Sequence, residues 1–97
     1  SAEAEALSRI DTEVGDLLGK RKRLELITTD NVRWGGIGYW QIRVQISGEL
    51  APYKLSELLA LFDDSNLSLR IESFRFQPRT SNQMTLVVDA LYRKASE

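Results

Sequence analysis

Apolar residues return along this chain in two rhythms. Between residues 2 and 18, Leu7, Ile10, Val14 and Leu17 stand three, four and three positions apart, which lines them along one face of a helix. Glu3, Glu5, Asp11, Glu13 and Asp16 occupy the remaining faces. The spacing suits a helix packed on a sheet, and residues 1–19 are read as an N-terminal helix packed on the domain; it also matches the a/d seam of a coiled coil, so the end of an upstream coiled coil is the alternative. Gly19 supplies a C-terminal stop, and Lys20, Arg21, Lys22 and Arg23 complement the helix dipole after it.

From residue 23 the period shortens. Leu24, Leu26, Ile27, Thr28 and Thr29 form a β-prone run that predicts a strand over 23–29, ended by Asp30 and Asn31. Residues 32–39, with Gly35, Gly36 and Gly38, read as a loop. Trp40, Ile42, Val44 and Ile46 then alternate with Gln41, Arg43, Gln45 and Ser47, the pattern of a half-buried strand, closed by Gly48.

Helical spacing returns after Pro52, where Leu55, Leu58, Leu59 and Phe62 form one stripe. Asp63, Asp64, Ser65 and Asn66 close this helix; acidic residues there oppose the dipole, so tertiary contacts must hold the turn. Leu67, Leu69 and Ile71 alternate with Ser68, Arg70 and Glu72, and the apolar parity then slips by one to Phe74 and Phe76, as at a β-bulge. A polar turn over 77–82 leads to Met84, Leu86, Val88, Ala90 and Tyr92, with Val87 and Leu91 on the other face. Asp89 and Arg93 share that outward face and read as a surface ion pair.

Helix, strand, strand, helix, strand, strand predicts an α+β, ferredoxin-like αββαββ domain: a four-stranded antiparallel sheet with both helices on one face. Residues 20–97 complete the single domain that the first helix begins, and 97 residues suit one core. The expected core sets Leu7, Ile10, Val14, Leu55, Leu58, Leu59 and Phe62 against Ile42, Val44, Ile46, Leu86 and Val88.

Composition narrows the chemistry. The chain has no cysteine and no histidine, which removes disulfides, thiolate nucleophiles, the commonest general base and the commonest metal ligand. Thirteen basic residues against fourteen acidic ones give a net charge of −1 and no overall field toward nucleic acid or an anionic membrane. No run approaches the ~20 apolar residues of a membrane-spanning helix. The chain opens at Ser1 inside the helical pattern, which reads as a segment of a longer protein with any anchor upstream.

The remaining motifs carry little chemistry. The glycines at 35, 36 and 38 lack the lysine and following helix of a phosphate loop. Glu57, Asp63 and Asp64 lack calcium-loop spacing, and the basic residues at 20–23 read as a solvated helix end in preference to a lipid or phosphate site. Trp34, Tyr39 and Trp40 beside basic residues resemble a stacking platform for single-stranded nucleic acid, but the element order differs from the βαββαβ of the RNA-recognition fold and Trp40 has core parity. No catalytic, cofactor or metal residues are assigned. The candidate interface consists of Trp34, Phe74, Phe76, Val87 and Leu91, expected on the face the helices leave uncovered or on a strand edge.

One larger resemblance spans residues 24–93. The run Trp40-Gln41-Ile42-Arg43-Val44-Gln45-Ile46-Ser47-Gly48-Glu49 leads through Tyr53 into Leu55-Ser56-Glu57-Leu58-Leu59-Ala60-Leu61-Phe62. It continues through Leu67-Ser68-Leu69-Arg70-Ile71-Glu72-Ser73-Phe74 to Met84-Thr85-Leu86-Val87-Val88-Asp89-Ala90-Leu91-Tyr92. This resembles the periplasmic domain of the PilO/GspM family, the inner-membrane platform proteins of type IV pilus and type II secretion machines. There a strand ending in a small-glycine pair precedes an apolar helix, a strand with a charged interruption, and a final strand. The turn from Trp34 to Trp40 departs from that pattern. The resemblance implies a ferredoxin-like fold, a periplasmic location tethered to the inner membrane, no catalytic residues, and homodimers or heterodimers with related platform proteins of the PilN/GspL type. The alternative expectations are a ferredoxin-like module sensing a ligand or peptide, and a single-stranded nucleic-acid binding domain.

Overall fold

Four strands form one antiparallel sheet in the order β1-β2-β4-β3, with two helices packed on one of its faces. The computed structural model describes residues 1–15, 17–19, 21–63, 69–79 and 81–94. Its elements are α1 (Ala2–Val14), β1 (Arg23–Trp34), β2 (Ile37–Glu49), a 3-10 turn (Pro52–Lys54), α2 (Leu55–Asp63), β3 (Leu69–Gln77) and β4 (Gln83–Arg93). The fold is the expected α+β class with the ferredoxin-like element order.

Helix α1 ends earlier than its periodicity suggests. Gly15 adopts φ +47°, a left-handed conformation that side chains disfavour, and its N–H donates to Asp11 O at 3.0 Å. The stop is therefore Gly15, not Gly19. Ala6, Ile10 and Val14 enter the core, Leu7 is half-buried, and Leu18 returns to the sheet through a bridge to Leu50. Lys22, from the basic run, donates to Gly15 O at 3.3 Å and pairs with Asp11 at 2.7 Å, so it satisfies the helix C-terminus as the sequence implied. Asp16 and Lys20 lie outside the described residues.

The largest departure concerns residues 30–39, expected to break a strand and form a loop. They instead extend β1 and β2 into a long hairpin closed by Gly35 and Gly36 alone, at φ +58° and +80°. A two-residue turn with positive φ at both central positions matches the right-handed twist of the strands, and two glycines adopt it without steric cost. β2 likewise continues past Gly48 to Glu49. In α2 the buried residues are Leu58 and Phe62, flanked by half-buried Leu55 and Leu61, while Leu59 of the expected stripe is exposed. Asp64, Ser65, Asn66, Leu67 and Ser68, and Thr80 of the polar turn, lie outside the described residues.

The two αββ halves are related by a pseudo-twofold axis between β2 and β4, where Val44 faces Val88. Leu24, Leu26 and Thr29 of β1 face Ile46, Val44 and Ile42, while Leu69, Ile71 and Phe74 of β3 face Ala90, Val88 and Leu86. Exchanging the halves therefore superposes Leu24 on Leu69, Leu26 on Ile71 and Thr29 on Phe74. Both edge strands slip register at the same place, between Leu26 and Thr28 and between Ile71 and Ser73. The bulge read from the Phe74 parity shift is thus present, with Glu72 as the extra residue, and it has a counterpart at Ile27. Little sequence identity accompanies this symmetry, because a core position requires only an apolar side chain of suitable volume.

Candidate interaction surface

Alternation along β2 and β4 sends Ile42, Val44, Ile46, Leu86, Val88 and Ala90 under the helices and leaves the odd-numbered positions on the opposite face. No element covers that face among the described residues. Its side chains sort into three zones.

At the hairpin end stand Trp34, Ile37, Tyr39 and Leu91. Trp34 is 58% exposed, its ring centroid 5.9 Å from that of Tyr39 at an interplanar angle of 47°. Trp34, Leu91, Leu69 and Ala90, with Gln41, Arg70 and Asp89, line a hollow of about 240 Å³. An exposed indole held by a neighbouring ring loses little conformational freedom on contact, which is the usual property of an interface anchor.

The middle of the face carries a charge network centred on Asp89. Arg43 grips it with two parallel bonds, Nε to Oδ1 at 2.8 Å and Nη2 to Oδ2 at 3.0 Å. Gln41 Nε2 donates at 3.4 Å, Arg70 Nη2 lies 3.7 Å away, and Glu72 accepts from Arg70 at 3.3 Å and stands 3.6 Å from Arg43. These arms leave Asp89 only 6% exposed on a face that otherwise meets solvent. The hydrogen bonds from Arg43 hold the Asp89 carboxyl below the usual carboxylate range against the opposing effect of burial. The same bond raises the Arg43 guanidinium above its ordinary value. The expected Asp89–Arg93 surface pair is therefore corrected: the partner of Asp89 comes from β2, because Arg43 and Asp89 are directly opposite in the ladder.

The third zone, toward the other end, is polar. Val87 lies there beside Gln45, Ser73, Arg75 and Thr85 around a hollow of about 280 Å³.

Of the five expected interface residues, the fold brings Trp34 and Leu91 together and places Val87 on the same face. Phe74 and Phe76 go elsewhere. The bulge at Glu72 turns them to the helix side opposite Leu86 and Met84, where they pack against the core with centroids 6.3 Å apart. Ile37 and Tyr39 were missed because residues 32–39 read as a loop; inside a hairpin their parity would have placed them beside Trp34. Arg43 and Asp89 had been placed on polar positions of their strands, but only the register makes them neighbours.

No group of three or more acidic residues able to hold a metal ion occurs among the described residues, and no described helix is long and apolar enough to cross a membrane. No protein-family model matches the chain, and neither a curated protein nor a solved structure is significantly similar to it.

Proposed function

We propose that this chain is a non-catalytic protein-interaction domain, a scaffold unit of a bacterial inner-membrane platform for type II secretion or type IV pilus assembly. It acts in the periplasm by pairing with related platform domains of the PilN/GspL type and with copies of itself. The observation that carries the reading is the uncovered sheet face with an aromatic and aliphatic cluster at the hairpin end and its central charges already neutralised within the chain. Such a surface loses little on docking: Asp89 and Arg43 arrive paired, so a partner desolvates a satisfied ion pair and not two free charges. Trp34 and Leu91 supply the apolar contact. The resemblance of residues 24–93 to PilO and GspM domains supports the platform assignment, and the ferredoxin-like element order agrees with it.

A sensing role has one observation in its favour, the 240 Å³ hollow beside Trp34, whose size suits a single side chain or a small ligand. It is shallow and bordered by charges already engaged with one another, so an anchor residue from a partner suits it better than a free metabolite.

The test is to titrate the domain with PilN- and GspL-type periplasmic domains from the same genome, following tryptophan fluorescence. Saturable binding is expected. Trp34→Ala should weaken it by about 30-fold or more, equivalent to the ~2 kcal/mol of an interface hot spot, with unchanged circular dichroism. No binding at ~100 μM, or binding indifferent to both Trp34→Ala and Leu91→Ser, sinks the assignment of this face.

A further inference from the structure

The Gly35–Gly36 turn stands at one end of the molecule. β2 alone spans roughly 40 Å at ~3.3 Å per residue, so the strands set the long axis of a body measuring 49 × 22 × 19 Å. β4 leaves the hairpin at Arg93, opposite Tyr39, and the Lys94 N–H closes the sheet there by donating to Gly38 O at 3.1 Å. Beyond that point β1 and β2 run on as two strands. On the open face of this tip Trp34 is paired with Ile37 and Val32 with Tyr39, and the first two are 58% and 36% exposed. Arg33, Arg93 and Lys94 stand around them, and residues 31–40 and 91–94 include no acidic residue. Arg33 Nη2 donates to Gly36 O at 2.7 Å and Lys94 Nζ lies 4.5 Å from the centre of the Trp40 ring, so neutral groups hold both cations. Among the described residues none of the three basic side chains is ion-paired. At the opposite end Lys22 and Arg23 are already committed to Asp11 and Glu25.

We infer that this tip is a membrane-contacting finger that seats at headgroup depth in a bilayer bearing anionic lipid. It matches that layer on three counts. Trp34 and Tyr39 each join an apolar ring to a polar edge, the combination that settles at membrane–water interfaces. Arg33, Arg93 and Lys94 can lay their apolar stems along the tip and place their charges among lipid phosphates. The turn leaves peptide groups without strand partners, which keeps it in the hydrated headgroups and out of the hydrocarbon. A net charge of −1 does not oppose this, because exposed charges more than ~8 Å away are largely screened at physiological ionic strength. The cations at the tip decide the attraction. Single-stranded nucleic acid fits less well. Stacking needs rings on one surface, whereas Trp40 lies on the helix side, away from Trp34 and Tyr39, with Lys94 over its ring.

Trp34 belongs both to this tip and to the partner face, so lipid and partner exclude one another there. The two readings still fail separately, because the partner titration contains no lipid and the vesicle assay no partner. The probe is a vesicle of phosphatidylcholine with ~30% phosphatidylglycerol, set against phosphatidylcholine alone at ~0.1 M salt. Co-sedimentation is expected with the anionic vesicles. Bromine on the acyl chains should quench tryptophan fluorescence in the wild type and in Trp40→Phe, and far less in Trp34→Phe. At about fivefold per basic residue, Arg33→Gln combined with Arg93→Gln should lower partitioning about 25-fold. Ile37→Ser should lower it at every salt concentration, with unchanged circular dichroism in all variants. No sedimentation with anionic vesicles at ~1 mM lipid overturns the inference. So does sedimentation that is unquenched and indifferent to Ile37→Ser, which is surface adsorption alone. Binding of a single-stranded oligonucleotide, lost in the arginine variant while vesicles are ignored, overturns it in favour of nucleic acid.

Discussion

Ile10→Ala asks whether α1 is part of the folded domain or only arrives beside it. Ile10 is fully buried and belongs to the same cluster as Leu58, Ile42, Val44 and Leu86. The substitution removes three carbon groups, about 2.4 kcal/mol of transfer free energy at ~0.8 kcal/mol each. The space left behind adds to that, because the sheet beneath cannot collapse into it, for a total of about 3–4 kcal/mol. A domain of this length has a total stability of roughly 5–15 kcal/mol, so the effect is large but need not unfold the protein. The assay is urea unfolding followed by circular dichroism and tryptophan fluorescence together. With a slope of about 1.3 kcal/mol/M, the midpoint should fall by ~2–3 M. Leu7→Ala, half-buried one turn earlier, should cost about half as much, and exposed Ser8→Ala should stay within ~0.5 kcal/mol. A midpoint change below ~0.5 M for Ile10→Ala, with the slope unchanged, would refute the packing of α1 and return the helix to the coiled-coil reading.

Two further outcomes follow from the same geometry. The Asp89 carboxyl is depressed in the folded state, so it contributes stability that is present above its unfolded value near ~3.9 and lost as pH falls through the lower folded value. Melting temperature measured from pH 6 to pH 2 should accordingly fall less steeply in Asp89→Asn than in the wild type, and an identical slope would show that the Arg43–Asp89 pair contributes nothing to folding. At the hairpin, Gly36 sits at φ +80° with open space where a side chain would project, so Gly36→Val should destabilise by about 1–2 kcal/mol through backbone strain alone. Gly35→Asn, at φ +58°, should be close to neutral because asparagine tolerates that conformation; equal losses at both sites would mean the turn is not of this type.

Composition and periodicity determined a good deal of this protein. The i, i+3, i+4 stripe placed Ile10, Val14, Leu58 and Phe62 in the core, and strict alternation did the same for Ile42 through Ile46 and Met84 through Ala90. Both patterns are local consequences of 3.6- and 2-residue repeats, so they need no knowledge of partners. The slip from Ile71 to Phe74 announced the bulge for the same reason. The absence of histidine and cysteine narrowed the available chemistry before any coordinate was known.

What the sequence left open was decided by pairing across the sheet. Gly35 and Gly36 are equally compatible with a loose loop and a tight turn, and only the register of β1 against β2 selects the turn, carrying Ile37 and Tyr39 onto the face of Trp34. Phe74 and Phe76 looked like surplus hydrophobic surface because their parity differs from that of Leu69; the bulge restores them to the helix side, leaving a smaller interface than five scattered residues suggested. Asp89 was paired with Arg93 on sequence proximity, whereas the ladder sets it opposite Arg43, forty-six positions away in the chain. Side-chain periodicity is encoded within a segment, but which segments become neighbours, and therefore which charges meet and which grooves stay open, is set by three-dimensional packing.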